Sequence, residues 1–221
     1  MLKVCLFDLD GVIVDTAKYH YLAWKAVANG LDFDFTEEQN EELKGVSRAE
    51  SLEIILDWAG IKLSSENKEK QMELKNNLYL DLIDHISPTE ILPGAVDFLD
   101  ELRNMNIKIG LGSASKKATM ILEKVHLIDY FDCIIDGNKT TKGKPHPQVF
   151  LMGAEYLGAC PFQTVVFEDA QKGIEAARAG GFFSVGLGDP VILKEADWVI
   201  PSLAHLNIHL LKNQFEKSFV N

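Results

Sequence analysis

Residues 6–16 read LFDLDGVIVDT. The unbroken apolar run before Asp8 is the texture of a strand buried on both faces. It ends by setting Asp8 and Asp10 two residues apart, with Gly11 immediately after. Two carboxylates beside a buried run repel each other and lose solvation unless a cation occupies the gap between them. The stretch therefore predicts a strand of a parallel sheet and a charged site at its carboxyl end.

The strand, about Leu2 to Phe7, has companions much later in the chain. From Pro93 onward the runs NIKIGLGS, FDCIID, TVVFED, GFFSVGLG and ADWVIP alternate with helical patterns of roughly ten residues, the signature of a parallel sheet covered on both faces. Between Thr16 and about Ser87 only helical signals occur. Tyr19, Leu22, Ala23, Ala26 and Val27 recur at helical spacing, as do Leu52, Ile55, Leu56 and Ala59. Ser47 followed by Glu50 predicts a capping box, and SSENKEKQMELKNNLYLDLIDHI one long amphipathic helix. The expected fold class is α/β: a Rossmann-like, doubly wound parallel-sheet core, residues 1–15 and 89–221, with an inserted helical cap, residues 16–88. Asp15-Thr16 and SPTEILPG are the expected hinge connections.

Bulk properties narrow the class. Among 221 residues, 22 basic side chains face 33 acidic ones, a net charge of −11. Such a balance excludes nucleic acid or an anionic membrane as a general partner and leaves room for a local cationic pocket holding a small anion. Cys5, Cys133 and Cys160 are isolated and odd in number, which fits a reduced protein better than a disulfide framework or a zinc site. No window approaches the length of about 18 apolar residues that reads as a membrane span, and the short N-terminal apolar run does not read as a signal sequence. The expected location is the cytoplasm and the expected state a monomer.

In a doubly wound sheet, ligands bind outside the carboxyl ends of the strands. Asp8, Asp10, Ser113 to Ser115, Asp136 and Glu168-Asp169 all follow apolar runs and meet at that edge. DLDG fails as a calcium loop: counting from Asp8, the fifth position is Val12 and the twelfth Tyr19, where oxygen ligands are needed. A second acidic pair, Glu168-Asp169, instead completes a hard-oxygen set suited to Mg²⁺. Carboxylates with Mg²⁺ serve phosphoryl transfer, in which an Asp can itself be the nucleophile. Ser113, Ala114 and Ser115 at a strand-to-helix turn offer hydroxyls and an amide to phosphoryl oxygens, and Lys144, held between loop prolines in GKPHP, offers a cation. GLGSAS lacks the third glycine of a dinucleotide fingerprint and is a weak signal for that class.

Four motifs in this order, DLDGV, the Ser of GSAS, the Lys of KPHP and FEDA, resemble the haloacid dehalogenase superfamily of aspartyl-phosphate enzymes across the whole chain. The cap segments TAKYHYLAWKAV, LKGVSRAESL and LKNNLY, with GSASK in the core, resemble its hexose-phosphate mutases. The resemblance implies Asp8 as nucleophile and Asp10 as general acid/base. It implies Mg²⁺ held by the side chains of Asp8, Glu168 and Asp169 and the Asp10 carbonyl. Ser113, the Ala114 amide and Lys144 would hold the transferring phosphoryl group, while Gly45, Val46, Ser47 and Arg48, with Ser115 and Lys116, would grip the other phosphate. His20 and Lys75 would position Asp10 on cap closure. Thr16 and Trp24 are further substrate-binding candidates, although a Trp four residues after His20 is more often packing. Lys117 stands where Asn is expected, and the Gly137–Gly143 loop has no counterpart that can be matched residue by residue.

The implied reaction interconverts β-D-glucose 1-phosphate and β-D-glucose 6-phosphate through an aspartyl-phosphate and the 1,6-bisphosphate, with a small sugar phosphate as the only partner. The same core would equally serve a Mg²⁺-dependent sugar-phosphate phosphatase. A non-enzymatic phosphosugar-binding module would lack a nucleophile, an acid/base or a metal ligand, and none of these is missing.

Overall fold

A computed structural model describes residues 1–218. Strand β1 (Val4–Phe7) is followed by four helices, α1 (Ala17–Asn29), α2 (Glu37–Glu42), α3 (Arg48–Ala59) and α4 (Ser65–Ile83). The chain then continues through α5 (Ala95–Asn104), β2 (Lys108–Gly112), α6 (Ala118–Lys124), β3 (Cys133–Ile135) and α7 (Gln148–Tyr156). It closes with β4 (Thr164–Glu168), α8 (Gln171–Ala179), β5 (Phe183–Leu187), β6 (Trp198–Ile200) and α9 (Ile208–Lys217). The strands form one sheet in the order β3-β2-β1-β4-β5-β6, and every pairing is parallel. β1 lies between β2 and β4, so Asp8 leaves the sheet near its centre.

All four residues of β1 are buried because both faces of the sheet are covered. Cys5 and Phe7 enter one apolar cluster and Val4 and Leu6 the other, the period-two alternation of a strand. Phe7 stacks on Phe167 at 4.6 Å, and Phe98 of α5 meets both edge-on. A third cluster, with Trp24, Val27, Phe35, Leu52 and Ile55, draws its buried residues from the α1–α3 region, with Met72 of α4 packed against it. Ala23, Tyr79 and Ile83 belong instead to the first cluster, so α1 and α4 are the helices that pack down onto the sheet layer. Among the described residues no helix is long and apolar enough to cross a membrane.

Local signals explain most boundaries. Ser64 caps α4 by accepting the Asn67 amide, and Gly60 ends α3 in the left-handed conformation that costs glycine least. The capping box expected at Ser47 is half formed. Ser47 Oγ accepts from the Glu50 amide at 3.4 Å, while the Glu50 carboxylate turns toward Lys172 of α8, 3.5 Å away. A complete box forms at Thr36 and Gln39 instead. The strand–helix alternation also breaks once: β5 and β6 are joined by residues 188–197 without a helix, where Asp189 holds the turn by accepting the Val191 amide.

The two crossings between the helical insert and the sheet layer run side by side. Val14 bridges Ile91 in antiparallel fashion, Leu92 donates to the Ile13 carbonyl and Asp15 to the Glu90 carbonyl. Glu90 also takes Lys18 Nζ at 2.5 Å and the Tyr19 hydroxyl at 3.0 Å.

Candidate active site

The carboxyl ends of β1, β2 and β4 converge on a buried charge cluster. Lys144 Nζ lies 2.5 Å from Asp8 Oδ1 and also bonds Glu168, with the Phe150 ring 4.9 Å beneath it. Burial alone would push this ammonium down, but Asp8 and Glu168 hold it above the ordinary lysine value. One buried cation cannot satisfy the acids around it. Burial, then the charges of Asp8 and Asp169, push Asp10 up to about 8. Burial raises Glu168 to about 8 against the pull of Lys144. Asp169 rises to about 6, chiefly through burial, although Lys44 Nζ sits 3.2 Å from it.

This shortage of positive charge is what a cation site looks like from its ligands. Asp8, Glu168 and Asp169 each bring one oxygen into a group within 4.8 Å of one another, a hard-oxygen set that fits a divalent cation such as Mg²⁺ or Ca²⁺. The backbone makes room for it. A Cβ on Gly173 would fall 1.9 Å from Glu168 Cδ, and one on Gly11 (φ +79°) 2.1 Å from Asp169 Oδ2. Only residues without a side chain let these carboxylates lie where they do.

The turn after β2 is braced by its own hydroxyls. Ser113 is buried and its Oγ accepts the Ser115 amide at 3.1 Å, while Ser115 Oγ accepts the Lys117 amide. The Gly137–Gly143 loop is tied to this turn: the Gly137 amide donates to the Ser115 carbonyl, and Asn138 Nδ2 to the Lys116 carbonyl at 3.0 Å.

The helical insert closes over these residues, leaving a cleft of about 430 Å³. Its lining includes five cations, Lys44, Arg48, Lys75, Lys116 and Lys117, against three carboxylates, Asp8, Asp10 and Asp169. A protein of net charge −11 thus concentrates positive charge at one place. Arg48 Nη2 donates to Asn76 Oδ1 at 2.7 Å, fixing the N-terminus of α3 against α4. Lys75 Nζ meets His20 Nδ1 at 2.9 Å and lies over the rings of Tyr79 and Trp24, at 4.6 and 5.4 Å. Burial and the Arg48 charge lower Lys75 to about 7. Burial and Lys75 push His20 well below its ordinary value, so the imidazole is neutral. Lys75 donating to Nδ1 places the ring hydrogen on Nε2.

The structure brings most of the expected residues to this one place, with Lys144, Glu168 and Ser113 buried behind the cleft lining and Trp24 and Thr16 off it. Trp24 does not line the cleft; it packs in the apolar cluster of the helical insert, because a bulky ring on the inner stripe of α1 gains most by burial. Thr16 is likewise buried and off the cleft, and its Oγ1 donates to Asp10 Oδ1. Gly45 (φ +72°), Val46, Ser47, Ala114, Ser115 and Lys116 all line the cleft, as do Lys117 and the loop residues Gly137, Thr140, Thr141 and Gly143. Sequence reasoning missed Lys44, Gly173, Asn76 and Tyr79. Asn76 and Tyr79 stood inside the quoted LKNNLY segment, and a turn-by-turn reading of α4 from Lys75 would have put Tyr79 on its face.

The family described as haloacid dehalogenase-like hydrolase matches residues 2–181. The chain is 44% identical to the β-phosphoglucomutase of Bacillus subtilis (strain 168) over 218 residues, covering 98% of this chain and 96% of that one. It is 31% identical to a phosphorylated carbohydrates phosphatase of Thermotoga maritima over 183 residues, 81% of this chain and 82% of that one. The crystal structure of a β-phosphoglucomutase from Clostridium difficile superposes with a TM-score of 0.95 at 42% identity, each chain covered completely. With the motifs clustered at one sheet edge and a family match over most of its length, this chain belongs to the haloacid dehalogenase-like hydrolase family.

Proposed function

We propose that the chain is a phosphomutase that interconverts β-D-glucose 1-phosphate and β-D-glucose 6-phosphate through the 1,6-bisphosphate. The observation that carries the reading is the near full-length similarity to a β-phosphoglucomutase at 44% identity. The site chemistry supports it. In this reading the C6 hydroxyl of β-glucose 1-phosphate attacks the aspartyl-phosphate on Asp8, giving its proton to Asp10, and the 1,6-bisphosphate forms as the phosphorus–Asp8 bond breaks. In the second half, Asp8 attacks the C1 phosphorus of the reoriented bisphosphate, the bond to the C1 oxygen breaks as the aspartyl-phosphate re-forms, and Asp10 returns the proton to that oxygen, releasing glucose 6-phosphate. A carboxyl raised to about 8 by burial and held by Thr16 is suited to both tasks. Lys144, Ser113 and the Ala114 amide neutralise and orient the phosphoryl oxygens.

Asp8, Glu168, Asp169 and the Asp10 carbonyl would hold Mg²⁺, which when bound adds charge stabilisation for the transferring group. Gly45, Val46, Ser47, Arg48, Ser115 and Lys116 hold the second phosphate, and His20 and Lys75 position Asp10. Residues 16–88 act as a cap that closes on residues 1–15 and 89–221, excluding the water that would hydrolyse the intermediate. Lys44 with Asp169 and Glu50 with Lys172 join cap to core beside the cleft, while Lys18 with Glu90 and Asp84 with Lys124 join them near the hinge connections. The enzyme acts as a cytoplasmic monomer on a small sugar phosphate.

A coupled assay with glucose 6-phosphate dehydrogenase tests the reading. β-Glucose 1-phosphate with Mg²⁺ and bisphosphate activator should yield glucose 6-phosphate, and Asp8→Asn should abolish the yield. Similarity to a phosphorylated carbohydrates phosphatase makes inorganic phosphate the competing product, and its release faster than isomerisation would replace the mutase by a phosphatase.

A further inference from the structure

Two buried polar atoms among the described residues have no hydrogen-bond partner, His20 Nε2 and the Tyr79 hydroxyl, and both residues line the cleft. Tyr79 is only 3% exposed. Its ring lies against His20 with centroids 4.2 Å apart and beneath the Lys75 ammonium, so its place is fixed from two sides. A buried hydroxyl left without a partner is costly, and such a group is normally satisfied by protein or water. Here the ring's neighbours fix the phenol but supply it no acceptor.

What acts on the phenol tells which acceptor fits. The groups that influence it, after burial, are Asp10, Ser115 and Arg48. Ser115 approaches the phenol oxygen as a donor, which leaves the phenol's own hydrogen unused. Burial holds the phenol well above its ordinary value, so it is a donor. His20 Nε2, carrying the ring hydrogen, is a donor too. Two unused donors in the cleft that Ser115 and Arg48 also line, with Arg48 tied to Asn76 three residues before Tyr79, call for an anionic oxygen, and Ser115 and Arg48 belong to the subsite proposed for the second phosphate.

We propose that the Tyr79 hydroxyl is a substrate contact, donating a hydrogen bond to the non-transferring phosphate of the bound sugar beside Ser115 and Arg48. The assignment rests on the sugar-phosphate reading of the cleft. It makes α4 the carrier of two consecutive turns of site residues, Lys75 toward Asp10 and Tyr79 toward the distal phosphate.

Tyr79→Phe keeps the ring and removes the donor. Calorimetric titration with glucose 6-phosphate should show roughly tenfold weaker binding than wild type, the loss expected for a hydrogen bond to a charged group. The KM for β-glucose 1-phosphate should rise by a similar factor with kcat changed much less. The ligand-free Tm should be equal to or above that of wild type, because the variant removes an unsatisfied buried group. Equal binding by both proteins, or a ligand-free Tm several degrees lower, overturns this assignment alone. No binding of glucose 6-phosphate by the wild type overturns the sugar-phosphate reading and the assignment with it.

Discussion

At the scale of single residues, Lys75 shows how the cleft trades stability for binding. Its ammonium is buried at 3% exposure beside another cation, and it sheds its proton at about 7 instead of 10.5. Between those values the unfolded chain binds more protons than the folded one, so stability rises with pH across this window. Below pH 7 the full cost of burying the charge is present. Lys75→Met should therefore raise the Tm by several degrees at pH 7, with the gain shrinking toward pH 10, while kcat/KM falls at least about tenfold. Thermal melts across that pH range check the sign, and a gain that grows with pH would contradict the account.

Gly173 makes a second argument at the same scale. Its missing Cβ is what lets the Glu168 carboxylate lie against α8. Gly173→Ala should displace Glu168 and raise the Mg²⁺ concentration for half-maximal activity by about 10–100-fold, the usual effect of disturbing a metal ligand's support. A Mg²⁺ titration of activity and of Tm reads this directly. An unchanged half-point would remove Glu168 from the metal site.

At the scale of elements, the helical insert carries its own apolar cluster, with Phe35 fully buried in it. Phe35→Ala should cost about 3–5 kcal/mol, felt first in α1–α3. Hydrogen exchange should speed up there while amides of β1 and β4 stay protected. Equal acceleration in both regions would mean that the insert and the sheet unfold as one unit.

The elements were also what the sequence displayed best. Continuous apolar runs ending in DLD, GSAS and FED marked three of the central strand ends because a strand buried on both faces admits no polar alternation. The β5–β6 connection was less legible, since it is held by an Asp189 turn and by Leu193 packed on Gly186 rather than by a helix. Lys44 and Gly173 could not be read in advance for a related reason, whereas Tyr79 lay one turn from Lys75 and was within reach of helical spacing. Lys44 matters through Asp169, far along the chain, and Gly173 through the space it leaves for Glu168, and the local texture of a charged and a small residue gives no hint of either. Trp24 illustrates the reverse: one turn from His20, it still belongs to packing.

For the whole molecule, charge is distributed against its own average. The net −11 repels anions at long range, whereas the five cations lining the cleft attract them once they approach. Such focusing acts on encounter and is screened by salt. Raising ionic strength from low salt to about 0.15 M, where the Debye length falls to about 8 Å, should lower kcat/KM severalfold and leave kcat nearly unchanged. A flat profile would show that the cleft cations act only after binding.

The most direct test of the central claim is a ³¹P NMR time course of β-glucose 1-phosphate with the protein, Mg²⁺ and a trace of the 1,6-bisphosphate. The account predicts that the glucose 1-phosphate signal is replaced by an equal amount of glucose 6-phosphate, with inorganic phosphate staying a minor product. Inorganic phosphate rising in step with loss of substrate, without glucose 6-phosphate, would contradict it.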